Sequence, residues 1–234
     1  NSEVRECSLN FIDYLKPEQI EQLANDPKAS VRLRLAETIK NPTPKVLDKL
    51  TRDSDLEVRL ASLSLVNEST PVFFERLLAD EDPKVRSAAA KLVKNPTSEQ
   101  MERGVYDPDI KLAKEWARRP YSPSTSQLDR WIKLVSPQVL VELLKNPDIT
   151  FTKRQARNLL HTESGDVLRA VFENYGKYVK DSEVVNIMEK ARYYERYHIF
   201  SAAREEMRKR SVNAEAGSKQ DAHQSDNVGF SHIN

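Results

Sequence analysis

Cysteine is nearly absent from this chain. Cys7 stands alone among 234 residues, so no disulfide can form within the chain, and no four-cysteine metal or iron–sulfur site can be built from it. A lone cysteine fits a reducing compartment, and a cytoplasmic location is the expectation. Glycine is scarce as well, at 5 residues against 12 prolines. That balance argues against a sheet protein with many glycine turns and suits helices opened by proline. No stretch approaches the roughly 20 apolar residues of a membrane span. No secretory signal is visible. The first residue is Asn1, which leaves open that a natural N-terminal segment is missing.

Charge of one sign is missing too. The formal net charge is +1, so the chain as a whole lacks the footprint of a nucleic-acid binder. The distribution is uneven. Residues 1–110 carry 16 basic and 20 acidic groups, residues 111–212 carry 20 and 13, and residues 213–234 carry 1 and 3. The C-terminal half is therefore mildly basic.

Signatures of common chemistry are absent. There is no glycine-rich phosphate loop and no nucleophile-elbow pattern. The histidines, His161, His198, His223 and His232, have no partners at metal-ligand spacing. No cofactor or metal is expected.

What the chain does have is an internal repeat. Asp26, Asp53, Asp80 and Asp107 follow one another at steps of 27 residues. Val31, Val58, Val85 and Leu112 keep the same step, as do Arg32, Arg59 and Arg86. Further columns are Ala36, Leu63, Ala90 and Ala117, then Thr43, Thr70, Thr97 and Ser124. Asp48, Glu75, Glu102 and Asp129 make an acidic column, beside the basic column Lys49, Arg76, Arg103 and Arg130. So many matched columns at one step indicate repeated structure.

Each unit reads as two helices. Aspartate with proline nearby opens the first, as in Asp26-Pro27, Asp82-Pro83 and Asp107-Pro108. Val31, Leu35 and Ile39 give that helix one apolar face. A break such as Asn41-Pro42-Thr43-Pro44 ends it. A shorter helix follows, with Leu47 and Leu50 facing inward. Their counterparts are Phe74 and Leu77, Met101 and Gly104, and Leu128 and Trp131. Helices this short need neighbours on both sides to bury their apolar faces, so stacking is required. The expected fold is all-α, an α-solenoid.

The run Asp53-Ser-Asp-Leu-Glu-Val58-Arg59, followed by a threonine-proline break and a short leucine-rich helix, resembles the leucine-rich repeat variant, within the wider HEAT-like helical repeats. The resemblance covers about residues 23–133. It implies a right-handed superhelix of short two-helix repeats. One member of that family holds an iron–sulfur cluster on N-terminal cysteines. With Cys7 alone, that feature is not carried over.

On this reading residues 1–25 form an N-terminal cap and residues 26–133 four repeats. Residues 134–212 hold degenerate helical repeats and a C-terminal cap, because the aspartate column breaks at Leu134. A last long helix is expected from Asp181 to about Arg210. Residues 213–234 have little apolar content and are expected to be disordered.

Two groups of residues invite a functional reading. Trp116, Asp129 and Trp131 set aromatics beside a carboxylate, which resembles the HEAT-repeat DNA glycosylases that remove alkylated bases. Repeat position already accounts for all three, since Asp129 continues the acidic column, Trp131 the Leu50 column and Trp116 the Leu35 column. The second group lies near the C-terminus: Arg192, Arg196, Tyr197, Arg204, Arg208 and Arg210. Basic groups interleaved with aromatics can bind nucleic acid, while the plain alternative is a capping helix with solvated charges. The Arg32, Arg59 and Arg86 column reads as structural, each arginine pairing with a repeat aspartate or a helix-end carbonyl. The leading expectation is a non-enzymatic scaffold that binds a protein partner on the concave face of the array. The alternative is a nucleic-acid-binding HEAT-repeat protein, with base excision at alkylated bases as its chemistry.

Overall fold

The computed structural model describes residues 2–67 and 70–228. Among the described residues every regular element is helical and no strand occurs. No helix among them is long and apolar enough to cross a membrane. The chain divides into two compact units, Asn1–Lys94 and Asn95–Asn234.

In the first unit, α1 (Ser2–Ser8), α2 (Pro17–Leu23), α3 (Ala29–Thr38), α4 (Pro44–Leu50), α5 (Leu56–Ser62), α6 (Pro71–Leu78) and α7 (Pro83–Leu92) follow in order. The first helices of the repeats, α1, α3, α5 and α7, begin at Ser2, Ala29, Leu56 and Pro83, steps of 27. The second helices, α2, α4 and α6, begin at Pro17, Pro44 and Pro71, again steps of 27. The N-terminal segment expected to be a cap therefore carries both helices of a repeat in register.

The matched columns are the core. Val31, Val58 and Val85 have no exposed surface, and Leu9, Ala36, Leu63 and Ala90 are buried. Leu9 stands 27 residues before Ala36, so it extends that column to α1. Ser69, expected in the proline column, lies outside the described residues.

The caps follow local chemistry. Asp55 closes the start of α5 by accepting from Glu57 N at 2.9 Å and Val58 N at 3.3 Å, and Asp82 closes α7 by accepting from Lys84 N at 2.8 Å. Asp26, Asp53 and Asp80 sit two residues upstream of the cap positions. Each accepts through Oδ1 from the backbone N of Lys28, Asp55 or Asp82 at 2.9 Å. The aspartate column was expected to cap the helices itself. It shapes the turn before the cap instead.

In the second unit, α8 (Ser98–Val105), α9 (Ile110–Ala117), α10 (Thr125–Leu134), α11 (Pro137–Lys145), α12 (Lys153–Asn158), α13 (Gly165–Tyr175), α14 (Asp181–Tyr193) and α15 (Tyr197–Val228) follow. The N-caps Asp109 and Ser136 are 27 apart. Ser136 and Ser164 are 28 apart, as are Ser124 and Thr152, and Thr152 and Lys180. Helix starts thus keep nearly the same spacing past Leu134, with one residue added per step.

Two features differ from the sequence reading. The expected single helix from Asp181 to Arg210 is split at Tyr194–Arg196 into α14 and α15. Arg196 N donates to Ala191 O at 2.8 Å, the closing bond of a helix-ending turn, and Glu195 takes a left-handed φ of 54°. No glycine marks this turn, so the break left no sequence signal. The segment expected to be disordered from residue 213 is helical to Val228, and residues 229–234 lie outside the described residues. Good helix formers such as Ala214, Ala216, Gln220 and Ala222 extend α15 without demanding a buried face.

Candidate functional site

The charged columns have internal uses. In the first unit each column arginine bridges consecutive aspartates. Arg32 donates Nε and Nη2 to the Asp53 carboxylate at 2.6 and 2.8 Å, and Nη1 to Asp26 O at 2.7 Å. Arg59 repeats the pattern on Asp80 at 2.9 and 3.1 Å and on Asp53 O at 2.8 Å. Arg5 makes the same fork to Asp26, so the ladder has one more rung than the sequence reading gave it. Arg86 Nη1 reaches Asp80 O at 2.8 Å and Glu81 O at 2.9 Å. A guanidinium that bonds a turn carbonyl and the next carboxylate together spaces one helix pair against the next. The Arg59 and Asp80 side chains are only 8% and 6% exposed. They have no free surface on which to read a phosphate.

A second set of pairs ties the shorter helices to one another. Arg76 of α6 reaches Asp48 of α4 at 2.9 Å and Thr51 Oγ1 at 2.7 Å. Arg130 of α10 reaches Glu102 of α8 at 3.1 Å. Arg154 of α12 holds Asp129 of α10 at 2.7 Å, and Arg157 pairs with Glu183 of α14.

Trp116, Asp129 and Trp131 do not converge on a pocket. Trp116 is 4% exposed and Trp131 is fully buried. The Trp131 indole donates to Glu102 at 3.0 Å, and the Arg119 guanidinium lies 4.4 Å from the centroid of the Trp116 ring. Both tryptophans are core groups, so neither is free to stack on an extruded base. Asp129 faces the other way and accepts from Gln155 Nε2 at 2.8 Å as well as from Arg154. The Gln155 hydrogen bond, then that of Arg154, holds its carboxyl below the usual aspartate range. A general base working near neutrality needs the opposite shift.

The C-terminal group divides by use. Arg210 is anchored: it donates to Val179 O at 3.0 Å, to Asp181 at 2.5 Å and to Glu206 at 2.7 Å, which locks α15 to the start of α14. Arg196 pairs with Glu163 at 2.9 Å and lies 5.9 Å from the centroid of the Tyr194 ring. Arg204 and Arg208 are exposed on α15, Arg192 is exposed near the end of α14, and none of the three has an ion pair among the described residues. Tyr197 is 74% exposed and Tyr193 is 80% exposed. The Tyr193 and Tyr194 rings meet edge to face at 5.0 Å. The turn between α14 and α15 therefore presents three tyrosines with Arg192 and Arg196 around them. Its left-handed glutamate, a conformation costing about 1 kcal/mol for a residue other than glycine, holds that presentation.

Sequence reasoning missed the cleft beside this turn. It has a volume of about 200 Å³ and lies between the end of α12, α14 and the start of α15, with His161, Lys190, Tyr194 and Arg196 among its walls. Of the other histidines, His198 bonds Glu163 O at 2.7 Å, and His232 lies outside the described residues. Among the described residues no cluster of His, Cys, Asp and Glu is placed to hold a metal ion.

Comparisons with family models, with curated proteins and with solved structures find no match.

Proposed function

We propose that this chain is a non-catalytic scaffold that binds a protein partner. In this reading its helix pairs are HEAT-like repeats resembling the leucine-rich repeat variant, stacked as an α-solenoid with the right-handed turn that resemblance implies. The observation that carries the proposal is the fate of the charged columns. Arg32, Arg59, Arg76, Arg130 and Arg154 are spent on carboxylates and carbonyls of neighbouring helices, and Asp129 is tied down with them. Meanwhile apolar and aromatic side chains stay in solvent, among them Val72, Leu134, Tyr193 and Tyr197. Exposed groups of that kind on a rigid helical frame serve recognition. The lone Cys7 supports a cytoplasmic setting, which imaging of a fluorescent fusion would test.

The experiment is capture of partners from nuclease-treated lysate of the native host. A stoichiometric protein partner is expected. Capture that disappears with nuclease would overturn the reading.

One observation favours a second reading. Arg192, Arg204 and Arg208 are exposed without ion pairs among the described residues, which is how phosphate contacts begin. Under the scaffold reading, fluorescence anisotropy gives duplex DNA binding weaker than about micromolar at physiological salt, and no alkylated base is released. Tight binding that falls steeply with salt, and is lost on reversing Arg204 and Arg208, would make nucleic acid the partner. A base-excision activity abolished by Asp129→Asn would make the tryptophan–aspartate group an active site.

A further inference from the structure

The cleft beside the α14–α15 turn differs from the other clefts of the molecule in its charge. No carboxylate lines it, while Lys190, Arg196 and His161 do. The cleft between α9, α11 and α13 sets Lys114, Lys145 and Arg169 against Glu142, Asp166 and Glu173. The cleft between α2 and α4 sets Lys45 and Lys49 against Glu21 and Asp48. Those two neutralise themselves. The cleft at α14–α15 is cationic and unmatched within its own walls. Glu163 pairs with Arg196 from outside the lining.

Its floor is aliphatic: Leu160, Ile187 and Ile199 line it. Leu160 and Ile199 are each 6% exposed and belong to the core, so the floor is rigid. A volume near 200 Å³ is room for one large side chain and little more. Tyr194 forms a wall, and Tyr193 and Tyr197 stand exposed beside it.

We propose that this cleft takes an acidic peptide segment of a partner protein, anchored by one leucine-like or phenylalanine-like side chain. The anchor fills the aliphatic floor, the flanking carboxylates meet Lys190 and Arg196, and the tyrosines cover the backbone. Tyrosine and arginine around a small apolar pocket are the usual makings of an interface hot spot. A nucleobase fits less well. It would need an open aromatic face, and the Tyr194 ring is already engaged by Tyr193 at its side and by the Arg196 guanidinium. The proposal rests on the scaffold reading and assigns that reading a site.

The test uses the full chain and three dye-labelled probes: a leucine flanked by glutamates, the same peptide with alanine for leucine, and oligothymidine. The leucine peptide should bind best and shift the methyl resonances of Leu160, Ile187 and Ile199. Lys190→Glu should weaken it by about tenfold or more and Lys190→Gln by less. Lys190 is exposed, so an unchanged melting temperature is expected in both variants. Failure of the leucine peptide to saturate below about 1 mM, or binding indifferent to Lys190→Glu, overturns the proposal. Tighter binding of oligothymidine at the same methyls also overturns it, in favour of nucleic acid. If the native partner is captured equally by the unchanged chain and by Lys190→Glu, the cleft is wrong and the scaffold reading stands. If no protein partner is captured at all, the scaffold reading falls as well.

Discussion

Trp116 fills the space in which a side chain on Gly104 would stand: a Cβ on Gly104 would lie 2.2 Å from two atoms of the indole ring. The pair is an exchange of size between two repeat columns. Where Gly104 stands, the earlier repeats have Leu50 and Leu77. Where Trp116 stands, they have Leu35, Ser62 and Ala89. The large group has moved from the second helix of one repeat to the first helix of the next, and the volume of the layer is kept.

Gly104→Ala should therefore destabilise the protein. In an open helix the change would gain up to about 1 kcal/mol from propensity. Here overpacking against a buried ring costs about 1–3 kcal/mol, and the contact is too close for the ring to stay in place. A net loss of about 1–2 kcal/mol is expected in urea unfolding. Restoration by Trp116→Leu in the same chain would identify the ring as the cause. A neutral or stabilising Gly104→Ala would show that the indole can step aside.

Several carboxyls share one pH dependence. The Arg5 hydrogen bond lowers the pKa of Asp26, the Arg118 hydrogen bond that of Glu142, the backbone N–H of Lys180 and then Arg157 that of Glu183, and Gln155 and then Arg154 that of Asp129. A pKa lower in the folded chain than in the unfolded one gives stability that is fully present above the unfolded value. That stability is lost as pH falls through the folded one. Thermal stability should hold from neutrality down to about pH 5 and decline below the ordinary carboxylate range near 4. Asp26→Asn should be less stable at neutral pH and should lose less than the parent on acidification. A parent whose stability rises between about pH 5 and 3 would contradict the sign.

The two parts of α15 should respond differently to truncation. Ile199, Ala202 and Ala203 are buried, and Arg210 ties the helix to Asp181 and Val179. A stop after Val212 keeps all of these, and the melting temperature should stay within about 2 °C of the parent. A stop after Arg196 removes them, and a loss of well over 5 °C is expected, roughly that of a few kcal/mol. Equal effects from the two stops would mean that the far end of the helix docks.

Much of the fold was legible because a repeat states each rule several times. The steps of 27 between Ala29, Leu56, Pro83 and Ile110 follow directly from the columns. Other features carried a signal that went unused. Arg5, Leu9 and Pro17 stand 27 residues before Arg32, Ala36 and Pro44, so the N-terminal repeat was there to be read. Past Lys133 the aspartate column was a poor guide, because Ser136 could cap α11 without Asp at position 134. The register survives in the caps and drifts by one residue. Two things left no trace. The break at Glu195 lacks the glycine that usually marks a left-handed turn. The α14–α15 cleft gathers Leu160, Ile187 and Ile199 from three segments, and only the packing of those segments brings them together. Of the residues singled out in advance, Arg196 lines that cleft, while Trp116, Trp131 and Arg210 proved to be structural.

The central claim is that the repeated charges are internal links of the stack, and a double-mutant cycle on Arg59 and Asp80 tests it most directly. Arg59→Met keeps the packing and removes the fork. Asp80→Asn keeps the turn bond to Asp82 N and removes the charge. Urea unfolding of the parent, the two single variants and the double variant gives the coupling. A value of about 2 kcal/mol or more is predicted for a pair buried this deeply and bonded twice, with each single change costing more than the double change does beyond it. A coupling below about 0.5 kcal/mol would contradict the account and return the arginine column to the surface, free to serve a ligand.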